Sequence, residues 1–268
     1  MTGNPLSFLD KLRSRSRDWN KTIAVVEPVS RLRNIGVATP AVERVPAQES
    51  GEVHQDRFKI RLAHNLARVA EARFLVERRY QQKGYLPQQA GSDGLSGCPD
   101  SVTLATYKGE EMMGTLTLGF DVGEGLLADA LYKPELDALR ASGRRVCEFT
   151  KLAIDNKRTS KRMLAGLFHI AYLYAERIWG YTDIIIEVNP SHVSFYERLL
   201  GFQVIGPERI CSRVNAPAVL LRADTAWGRD MVRKFGGQPE LAKSERSLFP
   251  YFLSLEEEGK ILSRLMQA

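Results

Sequence analysis

One carboxylate stands inside a largely apolar run, Val146-Cys147-Glu148-Phe149-Thr150-Lys151-Leu152-Ala153-Ile154. A carboxylate carried on a strand can take a proton from a nucleophile. It can equally be a strand-end charge paired with Arg144, Arg145 or Lys151. Further on, Asn189-Pro190-Ser191-His192 leads into Phe195-Tyr196-Glu197-Arg198. His192 could relay a proton or hold an anionic substrate group, or be a surface or capping histidine. Asn189 could hydrogen-bond a substrate amide, or cap the next helix together with Ser191. Between these segments lies Lys157-Arg158-Thr159-Ser160-Lys161-Arg162, four cations in six residues with no acid among them. Cations at a helix N-terminus oppose its dipole by ~0.3–1 kcal/mol each. The charge therefore suits an acidic partner, unless it is simply a solvated turn.

These groups need strands and helices to hold them, and the hydrophobic pattern predicts both. Phe58-Lys59-Ile60-Arg61-Leu62 alternates as a half-buried strand. Leu66, Val69, Ala72, Val76 and Tyr80 recur at helical spacing, with Gly84 as the stop. Residues 87 to 99 read as a loop rich in Gly, Ser, Pro and Gln. Val102 to Tyr107 and Met112 to Phe120 form a hairpin turned at Lys108-Gly109-Glu110. Asp129 to Ala141 is a short helix, and Val146 to Ile154 a strand. A long amphipathic helix carries Leu164, Leu167, Phe168, Ala171, Tyr174 and Ile178 and runs to Trp179. Ile184 to Val188 is an apolar strand, and Pro217 to Arg222 is the last sheet element. Leu255 to Met266 is a helix opened by three glutamates.

Composition bounds the setting. The chain has 268 residues, a net charge of +6 and three cysteines, Cys98, Cys147 and Cys211. The cysteines have no metal-ligand spacing, so no metal is expected, and their odd number favours a reducing compartment. No run approaches the ~18 apolar residues of a membrane span, and the N-terminus lacks the apolar stretch of a signal peptide. The cytoplasm is the expected location. Residues 1 to 54 read as a basic, flexible extension. Within it, Leu6, Phe8, Leu9, Leu12 and Trp19 could form one amphipathic turn that touches the inner face of a membrane. Residues 55 to 227 read as the folded domain and 228 to 268 as a helical extension. The cations are spread out without aromatic interleaving, which speaks against a nucleic-acid-binding module.

The order strand, helix, strand, helix, Gly-Phe between Arg145 and Phe202 is similar to the acyl-binding half of GNAT-like acyltransferases. That resemblance implies an α/β (α+β) fold with a mixed, mostly antiparallel twisted sheet flanked by helices. CoA-using members carry an Arg/Gln-x-x-Gly-x-Gly/Ala loop, where bare glycines let backbone N–H groups reach the pyrophosphate. Here Thr159, Arg162 and Leu164 hold those positions, so the resemblance implies a donor other than CoA. Glu148-Phe149-Thr150-Lys151 resembles the Glu-x-Ser/Thr-Arg/Lys strand of acyl-homoserine-lactone synthases, which take acyl chains from acyl carrier protein. The stretch from Glu187 to Phe202 resembles instead the FeeM-type N-acyl amino acid synthases, a bacterial GNAT-like group. So does Arg61-Leu62-Ala63 through Arg78-Arg79-Tyr80 to Gly84-Tyr85.

That family implies transfer of a long fatty acyl chain from acyl carrier protein to the amine of an amino acid, tyrosine among them. The acyl-phosphopantetheine comes on its carrier, so no resident cofactor is expected. Aminolysis of a thioester needs a neutral amine. A free α-amino group has pKa ~7.7–8.0, so a modest base suffices. Glu148 is the first choice of base. Tyr196, on the helix where many GNAT enzymes place a tyrosine, is the candidate donor to the leaving thiolate, although a packing role would explain it too. Thr150, Lys151, Asn189 and Arg79 are assigned to substrate binding, with Arg222 a further cation for the acceptor carboxylate. Lys157, Arg158, Lys161 and Arg162 are assigned to carrier docking. Met112, Met113, Leu116, Leu118 and Phe120 could line an acyl tunnel or form plain core. A lactone synthase using S-adenosylmethionine is the nearest alternative.

Overall fold

The computed structural model describes residues 22–26, 57–63, 65–85, 100–123, 125–155 and 160–267. The alternating segment Phe58–Leu62 is a strand (β2), and Phe58 and Ile60 bury its inner face. Ala24–Val26 (β1) lies antiparallel beside it, Ala24 opposite Ile60 and Val26 opposite Phe58. Three residues of the stretch expected to be a flexible extension thus form an edge strand, because Ala24 and Val26 can bury against the same core. Leu66–Gln82 (α1) starts on the side chain of Asn65, which accepts from the Arg68 amide at 2.9 Å. It stops at Gly84, whose φ of 74° is left-handed.

Ser101–Lys108 (β3) and Glu111–Phe120 (β4) form the expected hairpin. Asp129–Ala141 (α2) contains Pro134 and bends at Tyr132. The Tyr132 hydroxyl donates to the Ala218 carbonyl at 2.6 Å, which pins that bend to Ala216–Asp224 (β9). The central elements are Val146–Ile154 (β5), Lys161–Tyr172 (α3), Asp183–Val188 (β6) and Val193–Leu200 (α4). The helix expected to run regularly to Trp179 widens into a π-type turn at Leu173–Ile178.

The sheet order is β1-β2-β3-β4-β5-β6-β9-β7, where β7 is Gln203–Val204, and Arg209–Cys211 (β8) pairs with β9 off this path. All pairings are antiparallel except β5 with β6. Cys147, Phe149, Ile184 and Ile186 pack against α3 on one face. Val146, Ile185 and Leu220 pack against Tyr132 and Leu136 of α2 on the other, and Ala105 and Ala153 against α1. Thr225–Phe235 (α5) and Leu255–Gln267 (α6) follow β9. The segment between them returns to the core through Phe249 and Phe252, and the Leu253 amide donates to Nδ1 of buried His169 at 2.9 Å.

One glycine fixes how this last part sits. Gly201 ends α4 with a φ of 71°, and the Trp227 ring fills the space a β-carbon would need. Gly201→Ala is therefore expected to cost about 2–4 kcal/mol, the left-handed penalty plus overpacking. Urea denaturation checks this. A loss below about 1 kcal/mol would mean that Trp227 can swing away at little cost.

Candidate active site

Parallel pairing between β5 and β6 lasts for three residue pairs: Val146 with Asp183, Cys147 with Ile184, Glu148 with Ile185. Past Glu148, β5 stays with β4 as far as Ile154, and β6 stays with β9 as far as Val188. A cleft opens between them with Glu148 at its apex. The seam is clamped at its other end. Asp183 is fully buried and pairs with Arg144 and Arg222, and Arg144 also pairs with Asp224. Arg222, considered as a substrate cation, belongs to this clamp.

The cleft wall carries a β-bulge. Thr150 faces Thr117 and Ala153 faces Thr115, so Lys151 and Leu152 share the place opposite Leu116. Lys151 takes a φ of 53°. Half-buried Thr150 and Lys151 therefore stand where the strand breaks its regular ladder beside the cleft.

Glu148 is 2% exposed, and its Oε2 accepts from the Ala128 amide at 3.3 Å. Burial pushes its pKa up to about 7; Arg213 pulls the other way and Glu187 adds to the rise. Of the pairing partners considered for it, Arg144 is bound in the clamp instead. Glu187 brings a second carboxylate to the same face of the sheet. Its Oε1 accepts from Arg213 Nη2 at 2.8 Å, while its Oε2 is buried without a hydrogen-bond partner among the described residues. Arg213 also donates to the Leu127 carbonyl, next to the backbone that holds Glu148. Cys211 is buried against Glu187; burial first, then Glu187, push its thiol up. Tyr80, near the end of α1, joins this group, and burial raises it to about 12 against the pull of Arg213.

Tyr196 comes from the other face. Its ring meets Phe195, Phe202 and Phe168 edge-on at 5.1, 5.8 and 6.4 Å. Burial, with a smaller contribution from Tyr80, raises its pKa, so its hydroxyl keeps its proton at neutral pH. Tyr80 thus lies near enough to Tyr196 to add to its shift. His192 stands near Lys83; partial burial, then that cation, lower its pKa.

Other candidates sit elsewhere or are already engaged. The Asn189 side chain accepts from the Ser191 amide at 3.0 Å and the Ser191 hydroxyl at 2.7 Å, which is the capping arrangement. Arg79 bonds Gln82 at 2.8 Å at an exposed site, and the structure does not bring it to Glu148. Lys161 is exposed and Arg162 half-buried at the start of α3; Lys157 and Arg158 lie outside the described residues. Met113, Leu116, Leu118 and Phe120 belong to the main core and Met112 to the cluster under α1. None of the five lines the apolar cavity under α3. Glu187, Arg213, Cys211 and Tyr80 were not among the sequence candidates. Glu187 carried a signal, being the charge in Ile184-Ile185-Ile186-Glu187-Val188. Arg213, in the turn from β8 to β9, carried none. Among the described residues no three His, Cys, Asp or Glu side chains come together as a metal requires. No helix there is long and apolar enough to cross a membrane.

A mostly antiparallel sheet, split beside one parallel pair with a buried carboxylate at the apex, defines a GNAT-fold acyltransferase. The family model described as N-acyl amino acid synthase FeeM matches residues 71–224, and the chain belongs to that family. Among solved structures it is similar to FeeM, an N-acyl amino acid synthase from uncultured soil microbes. The two are 29% identical over 65% of this chain and 95% of that one, with a TM-score of 0.59. A putative N-acetyltransferase from Lactobacillus plantarum also matches (16% identity, 63% of this chain and 98% of that one, TM-score 0.46). So does the AHL synthase LasI (12% identity, 63% and 90%, TM-score 0.46). No curated protein sequence matches the chain.

Proposed function

We propose that the protein moves a long-chain acyl group from the phosphopantetheine thioester of acyl carrier protein to the α-amine of an amino acid. The observation that carries this reading is Glu148: a buried carboxylate at the cleft apex with a pKa of about 7. In the proposed step the neutral amine attacks the thioester carbonyl carbon. The new C–N bond forms, Glu148 takes the proton the nitrogen loses, and the C–S bond breaks. The Tyr196 hydroxyl, which keeps its own proton, donates a hydrogen bond to the leaving thiolate, and the thiolate ends as the thiol by taking up the proton that Glu148 releases. Glu187 acts from behind: its carboxylate, held by Arg213, adds to the rise of the Glu148 pKa and so keeps the base poised. Thr150 and Lys151 at the bulge line the donor's approach. Lys83 supplies the cation for the acceptor carboxylate and His192, kept neutral by burial and by that lysine, a hydrogen-bond donor beside it; the acceptor side chain is proposed to be aromatic, as in tyrosine. With acyl carrier protein as donor, the cytoplasm is the place of action.

Arg162 and Leu164 at glycine positions, with Lys161 beside them, favour a charged carrier over CoA. The carrier thioester is expected to be turned over at least about tenfold better in kcat/KM than the CoA thioester of the same chain, and the advantage should shrink with salt. Steady-state rates with tyrosine as acceptor, followed by mass spectrometry of the acylated product, test this. Equal efficiency with the two donors would remove the carrier from the reading; absence of any acylated amino acid would remove the reaction.

A further inference from the structure

Behind Tyr196, on the α3 side of the sheet, lies an apolar cavity of about 40 Å³. Its near wall is Phe149 of β5 and Phe168 of α3, whose rings stack at 6.5 Å. Phe149 directly follows Glu148 in the strand, and Phe168 and Phe202 both touch the ring of Tyr196. The cavity therefore lies under the seam on the face opposite Glu148, reaching from Phe149 beside the apex to Asp224 at the clamped end. Its far wall is Trp227, Gly228 and Val232 of α5 with Phe249 and Phe252. All five lie beyond residue 224, where the family match ends.

No free polar group looks into the cavity. Asp224, at its edge, accepts from the Ala226 and Trp227 amides at 2.8 and 3.1 Å and from Arg144. The Thr225 hydroxyl donates to the Tyr181 carbonyl at 3.0 Å. An occupant gains nothing there by being polar. At about 10–15 Å³ per water on this measure, the space equals about three waters, which is about three methylenes.

One residue shows that the room is not forced by the backbone. Gly228 lies within α5, where glycine costs about 1 kcal/mol relative to alanine. A β-carbon there would meet only Tyr172, at an ordinary 3.6 Å. The helix gives up stability and keeps the space open.

We propose that this cavity receives the last few carbons of the transferred acyl chain, and that the segment from Trp227 to Phe252 sets the chain length accepted. The inference rests on the acyl-transfer reading above. The test uses the full chain as wild type, Gly228→Ala and Gly228→Leu. Initial rates are measured with saturated acyl carrier thioesters from octanoyl to hexadecanoyl. Binding of the matching free fatty acids is measured by titration calorimetry, which does not depend on turnover. Filling the cavity should lower the hexadecanoyl-to-octanoyl ratio by a factor on the order of 10–100 in the leucine variant, in rates and in binding alike. The alanine variant should show a smaller fall with no loss in melting temperature. If the leucine variant does not fold, the alanine variant decides. A wild-type chain-length profile in a folded variant would overturn the inference while leaving acyl transfer standing. A wild-type protein that neither binds nor turns over any chain length would overturn the reading beneath it.

Discussion

Glu148→Gln is expected to lower kcat by a factor on the order of 10²–10⁴ without harming the fold. Glutamine keeps the shape of the side chain and its bond from the Ala128 amide, but it cannot take a proton. The wild-type rate should rise with pH through about 7, as Glu148 loses its proton. The variant should lack that step and recover in part at higher pH, where the amine deprotonates unaided. Stability should move the other way. The folded pKa lies above the ordinary carboxylate value of 4.5, so protonated Glu148 favours the folded state. That contribution is complete below about pH 4.5 and is lost as pH rises through about 7. A shift of this size corresponds to on the order of 3 kcal/mol. The glutamine variant escapes that loss and should melt no lower, and above about pH 7 higher, than wild type. Normal kcat together with a lowered melting temperature would make Glu148 architecture, and His192 would be the next base to test.

Replacing Arg213 should be nearly as damaging, through a different route. Arg213→Met leaves Glu187 Oε1 without its Arg213 donor and removes a cation that pulls Glu148 down. Breaking a largely buried pair from one side costs about 3–5 kcal/mol, and urea denaturation near neutral pH should show a loss toward the low end. The deficit should shrink in acid, where the carboxylates are protonated. The midpoint of the pH–rate profile should move upward, because Glu148 then loses an opposing charge. A variant with wild-type stability and an unmoved midpoint would show that Arg213 is not coupled to the two carboxylates.

The elements were legible where local pattern decides them. The alternation at Phe58–Leu62, the helical spacing from Leu66 to Tyr80 and the apolar Ile184–Val188 each bury one consistent face, and Glu148 could be picked out as a charge inside such a run. Three things were not legible. The bulge at Lys151 adds one residue to β5, so strict alternation misplaces every side chain after it. Ala24–Val26 is too short to stand out, and only the edge of β2 makes it a strand. Arg213 and Cys211 reach Glu187 because β9 lies beside β6, and β8 folds back on β9. That proximity is a property of topology, with no trace in the spacing of residues 148, 187 and 213.

The three-rung seam between β5 and β6 has a mechanical consequence. The sheet is two leaves joined by a short spine: β1 to β5 on one side, β6 with β9 and its partners on the other. Each leaf is internally antiparallel and complete, while the spine rests on three residue pairs. The Arg144–Asp183–Arg222 cluster bolts it at one end. Widening the cleft to admit a thick substrate therefore leaves both leaves intact and bends only the spine, pivoting about that bolt. The fold can change the gap at its centre without unfolding either side, and Glu148 sits at the rung nearest the opening.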